Sequence, residues 1–159
     1  MTIRMDYRKL AAAALQGLGE THQQLAKSAL PSTLLDLVYL RVSEINGCAY
    51  CLSSHGRDLL RAGVALDKLV LLSAWRETGG LYSDTERAAL QWAESLTDVS
   101  RTGAPDQDYE ALVANFNDAD AAQLTVAIAL INAYNRIAIG FRQPPVPLPK
   151  GPSVLPPDD

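Results

Sequence analysis

Both cysteines of the chain lie in one short run, Cys48-Ala49-Tyr50-Cys51-Leu52-Ser53-Ser54-His55, with one of its two histidines. Cysteine is the strongest side-chain nucleophile, but only as thiolate, and a second cysteine lets it cycle through a disulfide. Histidine exchanges protons near neutral pH and can take up the thiol proton. On a helix, at about 100° per residue, Cys48, Cys51 and His55 fall within an arc of roughly 60°. His55 stands one turn beyond Cys51, where it can act as base toward a thiol and as acid toward a leaving hydroxide. The run therefore reads as a dithiol–disulfide centre. If Cys48 begins a helix, the partial positive charge there stabilises its thiolate, so either cysteine can be the attacking sulfur. The plain alternative is a pair of inert, buried thiols. Zinc is the other competitor, but Cys-x2-Cys-x3-His supplies three ligands where a structural site takes four. The chain has no second CxxC, so neither a metal nor a separate cofactor is expected.

Asp36 is the next candidate. It interrupts Leu34-Leu35-Asp36-Leu37-Val38-Tyr39-Leu40, a run that must be largely buried. An acid buried there needs a partner, and desolvation would tune it toward proton relay at neutral pH. A solvent-facing position, or pairing with Arg41, is the competing reading. Ser43 shares the Asp36 face by helical phase and is a candidate for the same relay. Glu44 and His22 read as surface.

These residues need helices to position them. At 159 residues, 48% hydrophobic and 20% charged, the chain is long enough for one globular domain. Its net charge of −4 and lack of a basic cluster exclude a phosphate-tracking surface, so nucleic acid is not expected. The opening Met1-Thr2-Ile3-Arg4-Met5-Asp6 has no apolar signal core, which points to the cytoplasm. Leu and Ala dominate and β-type alternation is scarce, so the expected fold class is all-α. Helices are expected from Asp6 to about Leu30, with a break near Gly17 and Gly19, and from Ser32 to Ile45. Asn46-Gly47 then makes a turn. Further helices are expected over 48–62 and 66–75, from the capping box Ser83-Asp84-Thr85-Glu86 to Leu96, from Pro105 to Phe116, and from Asn117 or Asp118 to Gly140. The uncharged centre of the last helix, Leu124 to Tyr134, reads as a bundle core or subunit interface, too short and polar for a membrane span. Seven of the nine prolines follow Gln143. The expected division is a helical domain over 1–142 and an extended proline-rich tail over 143–159.

The segment Leu37-Val38-Tyr39-Leu40-Arg41-Val42-Ser43-Glu44-Ile45-Asn46-Gly47-Cys48-Ala49-Tyr50-Cys51, followed by His55, resembles the core motif of the AhpD-like alkylhydroperoxidases of the carboxymuconolactone decarboxylase superfamily. Leu72-Ser73-Ala74-Trp75-Arg76-Glu77 and Ile131-Asn132-Ala133-Tyr134-Asn135-Arg136 resemble further segments of that group. The resemblance implies an oligomeric AhpD-like helical bundle, a trimer or hexamer, that reduces hydroperoxides at the expense of a dithiol or protein reductant. It implies a relay of Cys48, Cys51, His55 and a carboxylate, in which one cysteine becomes sulfenic acid and the other resolves it. The family's carboxylate is a glutamate twelve residues before the first cysteine, and here that position holds the shorter Asp36. Some members carry a histidine between the cysteines, where this chain has Tyr50. The relay points to Cys51 as the attacking thiol, whereas helix-end electrostatics favours Cys48. Disulfide exchange or redox sensing without peroxide turnover, decarboxylase-like chemistry and non-catalytic assembly are the rival functions.

Overall fold

The computed structural model describes residues 2–148, and every regular element among them is helical. The α-helices are α1 (Tyr7–Leu10), α2 (Ala12–Leu25), α3 (Ser32–Asn46), α4 (Ala49–Arg61), α5 (Leu66–Val70), α6 (Asp84–Thr97), α7 (Val99–Thr102), α8 (Asp106–Val113) and α9 (Asp118–Phe141). Short 3-10 segments, Leu72–Glu77 and Gly79–Leu81, join α5 to α6.

Helix α3 is the hub, packing against α4, α6 and α9. Its apolar residues point two ways. Leu34, Leu35, Val38 and Val42 join Leu124, Ala127 and Ile128 of α9 and Trp92 of α6 in the main core. Leu37 and Leu40 face a smaller core with Leu59, Leu72, Trp75, Tyr82 and Leu90. Burying a side chain such as Val38 or Leu124, both 0% exposed, contributes about 1.5–3 kcal/mol. The uncharged centre of α9 is thus core helix on the side that meets α3.

Sequence signals place most boundaries within a residue or two. Ser83 and Glu86 form the expected reciprocal cap of α6, and Asn117 caps α9 by accepting from the Asp120 N–H at 2.9 Å. Some details differ from expectation. Helix α2 ends at Leu25 rather than near Leu30, and turns and bends fill 26–30 before Pro31, which disfavours helical backbone at the residue preceding it. The first helical region breaks at Ala11 and runs through Gly17 and Gly19, because a glycine inside a helix costs only about 1 kcal/mol relative to alanine. The helix expected over 66–75 stops at Val70 and continues as 3-10 turns, with non-helical backbone at Ala74. Cys48 caps α4 rather than beginning it.

Both ends of the described chain are fastened beside α4 and α9. Arg4 donates from Nη1 to the Gly140 carbonyl at 2.8 Å, and the Tyr7 ring stacks on Phe141 with centroids 4.7 Å apart. Beyond α9 the chain is irregular, and the Val146 N–H donates to Ser53 Oγ at 2.9 Å. Residues 149–159 of the expected tail lie outside the described residues.

Candidate active site

The turn between α3 and α4 sets the cysteines. Gly47 adopts φ 70°, the left-handed region that glycine enters without penalty. This lets the Gly47 N–H donate to the Glu44 carbonyl at 3.2 Å and the Cys48 N–H to the Ser43 carbonyl at 3.0 Å, closing α3 in a Schellman turn. Cys48 leaves that turn directly as the N-cap of α4, its Sγ accepting from the Cys51 N–H at 3.3 Å. The two cysteines are joined as a disulfide, with Cα atoms 5.3 Å apart. A reduced Cys48 at this position would have its thiolate stabilised by the helix terminus and by the Cys51 N–H.

The crossing of α3 over α4 brings Asp36 to His55. His55 Nδ1 lies 2.9 Å from Asp36 Oδ1. A carboxylate only accepts, so Nδ1 carries the proton in this pair and Nε2 is left with the lone pair for proton exchange. Asp36 is not the buried acid expected from its apolar run: its side chain is 27% exposed, against 15% for His55. Nor does it pair with Arg41, which instead bridges Glu44 at 2.8 Å and Glu94 at 2.7 Å. Tyr39 backs the histidine, their ring centroids 5.0 Å apart. Its hydroxyl is buried with no hydrogen-bond partner among the described residues, and burial first, then the charge of Asp36, pushes its pKa well up.

Ser43 does not join this relay. Its hydroxyl, wholly buried, donates to the Tyr39 carbonyl at 2.7 Å and accepts from Asn135 Nδ2 at 3.1 Å. Asn46 donates to Asn132 Oδ1 and to Asn135 Oδ1, each at 2.9 Å. This network ties the end of α3, and so the start of the cysteine run, to α9. It is structural, since it satisfies groups whose burial unpaired would cost about 1–3 kcal/mol each.

A cavity of about 550 Å³ opens onto the site. Tyr50, Cys51, Ser54 and His55 of α4 line its floor, and Ile131, Tyr134, Ile137 and Ala138 of α9 form a wall. Tyr7 and Arg8 of α1 and Ala12, Leu15, Gln16 and His22 of α2 cover it. Cys51 and His55 therefore face one space, while Cys48, 1% exposed, lies behind Cys51 and off the lining. Sequence reasoning missed the cover. His22 is exposed as expected, yet its ring lies 6.2 Å from that of Tyr39 and 6.4 Å from that of Tyr134, at the cavity edge. No local pattern marks Arg8 or His22, because their roles arise from contacts with distant parts of the chain. Among the described residues no three His, Cys, Asp or Glu side chains are grouped as a metal site requires.

Residues 10–95 match the model of the carboxymuconolactone decarboxylase family. YdfG of Bacillus subtilis is 30% identical over 89% of this chain and 95% of its own. A crystal structure from Agrobacterium tumefaciens, described as a protein of unknown function and a candidate AhpD antioxidant defence protein, is 36% identical. It superposes with a TM-score of 0.87 over 91% of this chain and 99% of its own. A peroxidase-related protein from Silicibacter (24% identity, TM-score 0.75, 85% of this chain and 71% of its own) shares the fold. So does the debrominase Bmp8 (21%, 0.72, 82% and 69%). With the matched segment containing the cysteine turn and both partners of the His55–Asp36 hydrogen bond, the chain belongs to the carboxymuconolactone decarboxylase family, on its AhpD-like side.

Proposed function

We propose that this protein is a thiol-dependent peroxidase that reduces organic hydroperoxides. The observation that carries the reading is a disulfide-forming pair of which one sulfur, Cys51, shares a ligand-sized cavity with a carboxylate-held histidine. His55 Nε2 takes the Cys51 thiol proton, the resulting thiolate attacks the outer peroxide oxygen, the O–O bond breaks, and the departing alkoxide takes that proton from Nε2 to leave as alcohol. Cys51 is then a sulfenic acid. Cys48 attacks its sulfur and gives up its proton, the S–O bond breaks, and water leaves with the disulfide formed. Two electrons from a dithiol reductant restore the thiols by exchange. Asp36 acts through His55 as a positioning residue.

The placement of Cys51 on the cavity and Cys48 behind it favours Cys51 as the attacking sulfur, with Cys48 resolving. Burial also weighs against general protein disulfide exchange: at 1% and 3% exposure neither sulfur is open to a bulky disulfide. A reductant must be a small dithiol or a protein dithiol presented through the cavity. Decarboxylation, the chemistry in the family's name, would leave the dithiol without a task. Homo-oligomeric assembly and a cytoplasmic location belong to the same proposal.

The assignment of sulfurs is tested in Cys48→Ser. Treated with peroxide and a sulfenic-acid trap, this variant should carry the adduct on Cys51 by mass spectrometry. No adduct in either Cys48→Ser or Cys51→Ser would remove the reading, and an adduct on Cys48 in Cys51→Ser with none on Cys51 in Cys48→Ser would reverse the roles.

A further inference from the structure

The cavity carries a charge pattern that peroxide chemistry does not require at its mouth. Its lining includes Arg8, His22 and His55 and no Asp or Glu, although the chain as a whole has a net charge of −4. Arg8 is the permanent cation of the three. Among the described residues no carboxylate lies within ion-pairing distance of it. Its guanidinium instead donates from Nη2 to the Tyr50 hydroxyl at 3.3 Å, and its Cζ lies 5.9 Å from the ring centres of both Tyr7 and Tyr50. Tyr50 is the residue immediately before Cys51. The cation is therefore held by two aromatic rings at the edge of the space that Cys51 faces, with donors left over. The same lining carries an apolar surface, with Leu15 of the cover and Ile131 and Ile137 of the wall.

We propose that the cavity selects hydroperoxides that carry a carboxylate on an apolar body, with Arg8 as the specificity-determining residue. The carboxylate pairs with the Arg8 guanidinium, the apolar body lies along Leu15, Ile131 and Ile137, and the peroxide is presented to Cys51. A volume of about 550 Å³ falls within the range of small-molecule sites and suits a fatty-acid-sized ligand better than hydrogen peroxide. The guanidinium geometry favours a planar anion that accepts two parallel hydrogen bonds. The proposal takes Cys51 as the peroxide-facing sulfur from the reading above, but its ligand preference is measurable without turnover.

The test uses the intact disulfide form and two probes, decanoate and 1-decanol, titrated by calorimetry. Decanoate should bind about five- to tenfold more tightly, the scale of one partly solvated charge-assisted hydrogen bond. Arg8→Gln should erase that preference, and Arg8→Lys, which keeps the charge, should retain most of it. Circular dichroism of the Gln variant confirms that the helices persist. Equal binding of the two probes by the wild type, or a preference that survives Arg8→Gln, overturns the proposal. In the reduced protein the kcat/KM ratio for linoleic acid hydroperoxide over its methyl ester should follow the same order. If neither hydroperoxide is consumed, the peroxidase reading fails, and the decanoate titration still decides the ligand class.

Discussion

A single contact organises the proton chemistry. Asp36 meets His55 at 2.9 Å and fixes which ring nitrogen keeps its lone pair. Asp36→Asn can present its amide to Nδ1 and leave the wrong nitrogen available. It should lower kcat for peroxide reduction by about tenfold or more, a part of what a full acid–base group supplies. KM and the melting temperature should move little, which separates lost positioning from lost folding. The aspartate already reaches the histidine directly, so the longer Asp36→Glu should bring no gain. A rate above wild type would show that the shorter side chain limits the relay. Of these residues, Cys48, Cys51 and His55 were legible from their spacing, because helical phase alone puts them on one stripe. Asp36 was legible as an odd acid in an apolar run, but its half-open setting was not, since that depends on how α3 crosses α4. The cavity cover was not legible at all: Arg8 meets Tyr50 across more than forty residues of chain, and no local pattern encodes such a meeting.

At the scale of elements, α3 and α6 are clamped through Glu94. Its carboxylate accepts from Arg41 at 2.7 Å and from Trp75 at 2.8 Å, and also pairs with Arg76. Burial pushes the Glu94 pKa up, but hydrogen bonds from Trp75, Arg76 and Arg41 outweigh it and hold the group below its ordinary 4.5. A depressed folded value means stability that is present above 4.5 and lost as the pH falls through that lower value. Glu44 works in the opposite sense. Burial outweighs its Arg41 contact and raises it above 4.5, so protonating it on the way down adds stability before Glu94 begins to lose it. Glu94→Gln should therefore reduce unfolding free energy near neutral pH by about 1–3 kcal/mol. The deficit should shrink below pH 4.5, as urea titrations across that range would show. A deficit that persists unchanged into acid would assign it to lost packing. The helices themselves were largely legible, since caps such as Ser83–Glu86 and the Asn46-Gly47 turn are local signals. The 3-10 stretch after Val70 was not, because its backbone is set by the packing of Leu72 and Trp75 into the second core.

For the whole molecule, one chain leaves much apolar surface uncovered. Of α2 only Leu25 is buried, and Leu10, Val126 and Ile139 are 74%, 47% and 44% exposed. Scattered exposed apolar residues are ordinary, but Val126 and Ile139 belong to α9, the most apolar helix of the chain, and Leu66 and Val70 of α5 are 64% and 67% exposed as well. Self-association would bury them. Light scattering should give a mass well above the 17.2 kDa of one chain. A compact monomer at micromolar concentration would contradict the assembly proposal. The central claim, that the cysteine pair reduces peroxide, is tested most directly by steady-state consumption of an organic hydroperoxide with a small dithiol as electron donor. The wild type should turn over many times per active site, Cys51→Ser should not react above the buffer rate, and Cys48→Ser should stop or slow sharply after one equivalent. Wild-type consumption no faster than that of the protein lacking both thiols would contradict the account.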